Sequence, residues 1–274
     1  LPKPKGVYRI VCIGGSTTME GPRNDLTYPA MLQELLRTQF GSDAFDVLNC
    51  GMDGAPIGGS LSRFDEYLSF EPDMIIHYNF VNDTQELINQ ALTRTVLSSF
   101  WKRPLVKVVS NSKFVRNRWP WLWDHFMPTE GDYRQEIEQR TMPWLQQMNE
   151  RAKKAGVRFA ICSSAYPDFA NLPAPEQAYW RDHFYFQQIV RVDYRDYVKC
   201  AQAFNSLVRE FCARENVLYV PCAENLKGGI ALFLDHCHFH VPGLRRKAQI
   251  VFDSLKDVIA QDLAAKQQTA TTAP

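Results

Sequence analysis

Five short apolar runs punctuate the chain: 8–14 (Tyr-Arg-Ile-Val-Cys-Ile-Gly), 46–52 (Asp-Val-Leu-Asn-Cys-Gly-Met), 73–80 (Asp-Met-Ile-Ile-His-Tyr-Asn-Phe), 157–163 and 217–222. Each has strand length and is apolar almost throughout, the pattern of strands covered on both faces. Between them the apolar positions move to helical spacing. Tyr28, Met31, Leu35 and Leu36 mark a helix over 28–40, and longer helical segments at 133–155 and 198–215 end in Lys-Lys-Ala-Gly and Ala-Arg-Glu-Asn, both good stops. Strand and helix alternate, which predicts an α/β fold. The expected form is a three-layer αβα sandwich around a five-stranded parallel sheet, flavodoxin-like, with right-handed crossovers. Such a sheet places its site at the carboxyl ends of the strands.

Two stretches exceed that minimal plan. Residues 99–132 carry Trp101, Trp119, Trp121 and Trp123 among six Lys and Arg, and 164–195 is rich in Pro, Tyr, Trp and Phe. Both read as insertions forming a lid or substrate wall. The rest is expected to be one domain over 1–264, with 265–274 a disordered tail of low apolar content. No internal repeat is visible.

Composition narrows the function classes. The 274 residues are 45% hydrophobic and 22% charged with a net charge of +1, ordinary globular values that argue against a general nucleic-acid binder. No apolar run is long enough to cross a bilayer. The first residues hold no signal-peptide core, and without an initiator Met an upstream signal or anchor stays open. Seven cysteines, at 12, 50, 162, 200, 212, 222 and 237, cannot all pair within one chain and form no Cys-x-x-Cys. Most read as small buried hydrophobes, which points to a reducing, cytoplasmic compartment.

The strand ends carry the chemistry. The first strand runs into Gly14-Gly15-Ser16-Thr17-Thr18, and far downstream comes Asp235-His236-Cys237-His238. A serine hydroxyl becomes a nucleophile when a histidine takes its proton, and a carboxylate three residues away orients that histidine. The blander reading makes Ser16 a helix cap, Asp235 a turn cap and His238 a surface residue. A third reading gathers His236, Cys237, His238 and His240 as metal ligands, although no second cluster completes a closed site. Acyl transfer also needs donors for an oxyanion. The N–H of Ser16, the N–H of Gly54 in a loop open to positive φ, and the amide of Asn82 are available. Gly54 also fits a plain turn, and Asn82 an Asx-turn or the cap of a helix starting near Thr84.

In order and at suitable strand ends, these pieces resemble the four blocks of the SGNH hydrolases, the GDSL-type esterases and lipases. They are Gly14-Gly15-Ser16-Thr17-Thr18, Asn49-Cys50-Gly51-Met52-Asp53-Gly54, Val81-Asn82-Asp83, and Asp235-His236-Cys237-His238 with Pro242-Gly243. Asn205 and the run 215–220 also look like that family's penultimate helix and last strand. The resemblance implies Ser16 as nucleophile, His238 as base, Asp235 as its orienter, and Ser16, Gly54 and Asn82 as oxyanion donors, with no cofactor and no metal. Two departures stand out. Gly15 replaces a common Asp, giving a Gly-Gly-Ser-Thr-Thr variant, and Phe80 replaces the usual Gly of the asparagine block, where its ring is expected to narrow the site toward short acyl groups.

The expected activity is hydrolysis of a short acyl ester, acetyl above all, of a carbohydrate or other polar molecule, through an acyl-Ser16 intermediate. Acyl transfer, lipid ester hydrolysis and a non-catalytic glycan-binding module are the alternatives. Phe80, Trp119 and Trp121 are the candidate substrate contacts. The Trp and basic residues of 99–125 admit three roles: a plain lid, sugar stacking, or contact with a membrane surface. No Gly-x-Gly-x-x-Gly or Gly-x-x-x-x-Gly-Lys-Ser/Thr follows the first strand, and no Gly-x-Ser-x-Gly elbow occurs.

Overall fold

The computed structural model describes residues 2–97, 100–184 and 192–272. Residue 99 of the first expected insertion and residues 185–191 of the second lie outside them.

Five strands, β1 (Tyr8–Gly14), β2 (Phe45–Gly51), β3 (Met74–Tyr78), β4 (Arg158–Cys162) and β5 (Leu218–Val220), form one parallel sheet in the order β2-β1-β3-β4-β5. β1 and β3 are buried at every position, as their unbroken apolar runs require. The helices are α1 (Ser16–Met19), α2 (Tyr28–Phe40), α3 (Ile57–Ser62), α4 (Phe64–Ser69), α5 (Val81–Leu92), α6 (Lys102–Asn111), α7 (Lys113–Arg118) and α8 (Pro120–Phe126). They continue with α9 (Glu130–Arg140), α10 (Met142–Lys154), α11 (Ala174–His183), α12 (Tyr194–Glu215), α13 (Cys222–Asn225) and α14 (Val241–Thr272). Helix α2 packs on α14 over one face of the sheet, and α3, α9, α10 and α12 pack in sequence over the other. Five parallel strands with helices on both sides match the expected architecture.

The strand order locates the site. The chain leaves β1 toward β2 but leaves β3 toward β4, in opposite directions. A crevice therefore opens between the carboxyl ends of β1 and β3, the switch point where open α/β sheets bind ligands.

Three expectations are corrected. The segment 133–155 is two helices, broken at Thr141. Pro143 in the first turn of α10 has no N–H to give to α9, so it starts a new helix instead of continuing one. The asparagine-block helix starts at Val81, so Asn82 sits inside its first turn and does not cap it. The residues 265–272 extend α14 rather than forming a disordered tail. Ala265, Lys266, Gln267 and Gln268 favour helix, and Lys266 ties this end to Asp73 at the foot of the sheet. All seven cysteines are free.

Candidate active site

β1 delivers Ser16 to the crevice. Gly15 is extended, and Ser16 opens the single turn α1, where helical φ and ψ leave the leading N–H groups without intrahelical partners. Thr18 Oγ1 donates to the Tyr78 carbonyl at 2.8 Å, fixing this turn to the end of β3. Below it Lys247 of α14 is wholly buried. Its ammonium donates to the Thr17 carbonyl at 2.6 Å and lies 3.4 Å from the Tyr78 ring centre and 4.1 Å from that of Tyr28. Burial pulls the Lys247 ammonium down to about 8.

The turn before α14 brings His238 to the serine. Asp235 caps this turn from within: its Oδ1 accepts the backbone N–H groups of Cys237 and His238, both at 2.8 Å. That leaves Oδ2 for the imidazole, and His238 Nδ1 lies 2.7 Å from it. On the other side of the ring, Nε2 is 2.9 Å from Ser16 Oγ. Burial pushes the Asp235 carboxyl up, but the hydrogen bonds from the His238 ring and from the two backbone groups outweigh it and hold it well below the usual range. The bond to Asp235 raises His238 above an ordinary histidine, against the opposing effect of burial. Asp235 thus caps its turn through one oxygen and meets the His238 ring through the other.

Glu20 joins the serine turn to the histidine turn. Its N–H donates to the Ser16 carbonyl at 2.8 Å, and its Oε2 accepts the N–H of Phe239, next to His238, at 2.9 Å. Its other oxygen is buried without a partner among the described residues, and burial raises the carboxyl to about 7. The sequence offered no sign of this residue, because its role depends on a contact 219 positions away.

The remaining wall comes from the loops after β2 and β3. Gly54 is left-handed at φ +66°, which its lack of a Cβ permits. The Ala55 carbonyl accepts from Asn79 Nδ2 at 2.7 Å and from Asn82 Nδ2 at 2.9 Å. Each amide NH2 has two hydrogens, so Asn82 is held in place while one N–H stays available. Asp83 ties the same loops together by accepting the Ile57 N–H at 3.0 Å. Gly15 explains its own identity: a Cβ there would collide with Asn82 Nδ2 and press on Asn79 Oδ1 and the Ala55 carbonyl.

Phe80 does not line this crevice. Its ring is buried in the core, stacked on Phe204 at 4.0 Å between centres, so the expected narrowing of the site by Phe80 is overturned. A bulky apolar residue here is used for packing between α5 and α12. Trp119 and Trp121 are exposed on the α7–α8 corner, where Trp119 packs edge-on against Phe114. The sequence did not single out Trp144 of α10, which shares with Asn82 the lining of a cavity of about 590 Å³ whose wall includes neither Ser16 nor His238.

The alternating histidines do not come together as a ligand set. The atoms of Asp235, His236 and Cys237 lie within 4.8 Å of one another, but His236 is packed edge-on against Phe184 and Tyr197, and His240 is exposed. Asp235 is already committed to His238, which makes this group a poor cation cage.

No protein-family model matches the chain, and no curated protein is similar to it in sequence. Its fold is shared with solved structures. An acetyl xylan esterase from Geobacillus stearothermophilus aligns over 90% of this chain and 94% of its own at 14% identity, TM-score 0.54. TesA aligns over 91% and 99% at 15% identity, TM-score 0.53. A member of the lipolytic G-D-S-L family from Veillonella parvula aligns over 90% and 97% at 11% identity, TM-score 0.50.

Proposed function

We propose that this chain is a serine esterase of the SGNH type that removes a short acyl group, acetyl above all, from a hydroxyl of a carbohydrate or similar polar molecule. The observation that carries the reading is the continuous chain from Ser16 Oγ through the His238 ring to Asp235, at 2.9 and 2.7 Å. The fold's neighbours, an acetyl xylan esterase and lipolytic proteins among them, support the same class of reaction.

Ser16 Oγ attacks the ester carbonyl as His238 Nε2 takes its proton, and Asp235 stabilises the imidazolium that forms. The oxyanion is met by the N–H groups of Ser16 and Gly54 and by the Asn82 amide; one such donor contributes about 3 kcal/mol in the transition state. Collapse expels the alcohol, which receives the proton from Nε2, and leaves acyl-Ser16. Water, deprotonated by the same nitrogen, then attacks the acyl carbonyl and regenerates Ser16. No step calls for a cofactor or metal, so activity is expected to survive exhaustive chelation.

Intact-mass spectrometry after incubation with a fluorophosphonate tests the reading. One adduct is expected on the native chain and none on Ser16→Ala or His238→Ala, with acetyl ester hydrolysis lost in step. An unlabelled native protein that does not hydrolyse phenyl acetate overturns it.

A further inference from the structure

Of eleven large hydrophobic side chains exposed among the described residues, seven fall between Phe100 and Trp121: Phe100, Trp101, Leu105, Val108, Phe114, Trp119 and Trp121. Phe100 is 93% exposed, and Val108, Phe114 and Trp121 are each about two-thirds exposed. Water-facing rings at this density are costly unless something covers them.

The charge of the same segment says what that is. Residues 100–123 contain six Lys and Arg and no Asp or Glu, so they carry +6 while the other 250 residues together carry −5. The near-neutral whole conceals a strongly uneven charge distribution along the chain. A second copy of this segment would bring +6 against +6, which disfavours self-association through it. Trp beside Lys and Arg, in short helices, is the composition favoured where lipid headgroups meet acyl chains.

The segment is also held so that it presents this face. In α6, Val106 is buried while Leu105 and Val108 point to solvent. In α8, Asp124 pairs with Lys199 of α12 at 3.1 Å, and Leu122 and Phe126 pack on the core, which leaves Trp121 outward. Lys102 Nζ sits 5.3 Å from the Trp101 ring centre, so cation and ring share one patch. Helices of ten, six and seven residues cannot span a bilayer, and none of the described helices is long and apolar enough to do so. They can lie on one.

We propose that residues 100–121 dock the protein on an anionic membrane surface, the aromatic rings entering the headgroup layer and the basic side chains meeting lipid phosphates. Docking is independent of the chemistry at Ser16.

Vesicle flotation of the full chain tests this, with phosphatidylcholine alone against phosphatidylcholine containing 30 mol% phosphatidylglycerol. Phe100→Ser/Trp101→Ser/Phe114→Ser is the aromatic variant, and fluorophosphonate labelling of Ser16 is the control for a folded body. The native chain is expected to float with anionic vesicles at least about tenfold more than with neutral ones, with loss in high salt and a blue shift of tryptophan emission. The aromatic variant is expected to bind anionic vesicles at least about tenfold more weakly while keeping its label. Absence of flotation at low salt, or equal flotation of the variant, overturns the proposal. So does equal binding of both proteins to dextran sulfate at the affinity seen for vesicles, which would make the patch a site for soluble polyanions.

Discussion

The Glu20 carboxylate accepts the Phe239 backbone N–H at 2.9 Å, so the residue that closes the serine turn also holds the residue next to His238. His238 faces three carboxylates, Asp235 on its own turn, Glu20 below it and Asp53 from the loop after β2, and each favours its protonated form. Glu20 in turn faces Lys247, which opposes its neutralisation. Glu20→Gln keeps an oxygen for the Phe239 N–H and removes only the charge. A base must be neutral to take the Ser16 proton, so activity is lost as pH falls through the His238 pKa. Removing a neighbouring negative charge lowers that pKa, but Glu20, raised to about 7, is only partly charged near this limb, so the acidic limb of kcat/KM is expected to move only slightly to lower pH. Glu20→Ala breaks the bond as well and is expected to cost about 1.5–3 kcal/mol of stability, read by urea unfolding. A limb unmoved in Glu20→Gln would mean that Glu20 acts by its hydrogen bond alone.

Gly15 is where the serine turn and the asparagine loop touch. In Gly15→Ala the added methyl must displace the Asn82 amide from the crevice. The expected loss in kcat is about 10²–10³, the size of one oxyanion donor, with Asn82→Ala falling by a similar factor and the double variant falling little further than either alone. Additive losses in the double variant would show that Gly15 acts through something other than Asn82.

Much of this was legible in the sequence because the chemistry sits at strand ends. Apolar runs fix where strands stop, and the residues just past them, Ser16, Gly54 and Asn82, had to gather at one edge of a parallel sheet. The Asp235–His238 pair is local, three residues apart on one turn. Contacts across the fold left no such trace. Glu20 and Lys247 look like surface residues in a one-dimensional pattern, Phe80 looks like a site residue until its stacking on Phe204 is seen, and the break at Thr141 depends on Pro143 outweighing a continuous helical periodicity.

His77 is a cost carried inside the sheet. It lies on β3, fully buried, and neither ring nitrogen has a hydrogen-bond partner among the described residues. Burial lowers its pKa to about 3, against about 6.5 for an unfolded chain. Between those values the unfolded chain binds the proton and the native one does not. His77 therefore subtracts stability as pH falls below about 6.5, by up to about 1.4 kcal/mol per unit until pH 3. Glu20 and Asp83, both raised to about 7 by burial, act in the opposite direction, so the wild-type curve alone does not isolate the histidine. The difference between His77→Leu and wild type does. It is expected to be small at pH 7.5 and to grow steadily in favour of the variant toward pH 4.5, followed as Tm in matched buffers; a difference independent of pH would assign the effect to packing.

Trp144 borders the cavity of about 590 Å³ beside Asn82, with Pro56, Glu86, Gln139 and Gln147 also on its wall. The indole lies against Gly58, where an added Cβ would come within 3.3 Å of the ring, so the glycine gives the flat side chain its seat. A half-buried indole rimmed by amides suits a sugar ring better than an acyl chain, because it offers one apolar face and several hydrogen-bonding partners. If the alcohol side of the ester occupies this cavity, Trp144→Ala removes binding common to ground and transition states. KM for an acetylated xylo-oligosaccharide is then expected to rise about tenfold with kcat unchanged, while phenyl acetate, too small to reach the indole, is hydrolysed as before. Equal losses on both esters would place the Trp144 effect at the Asn82 loop itself, and unchanged kinetics on both would move the alcohol to another part of the crevice.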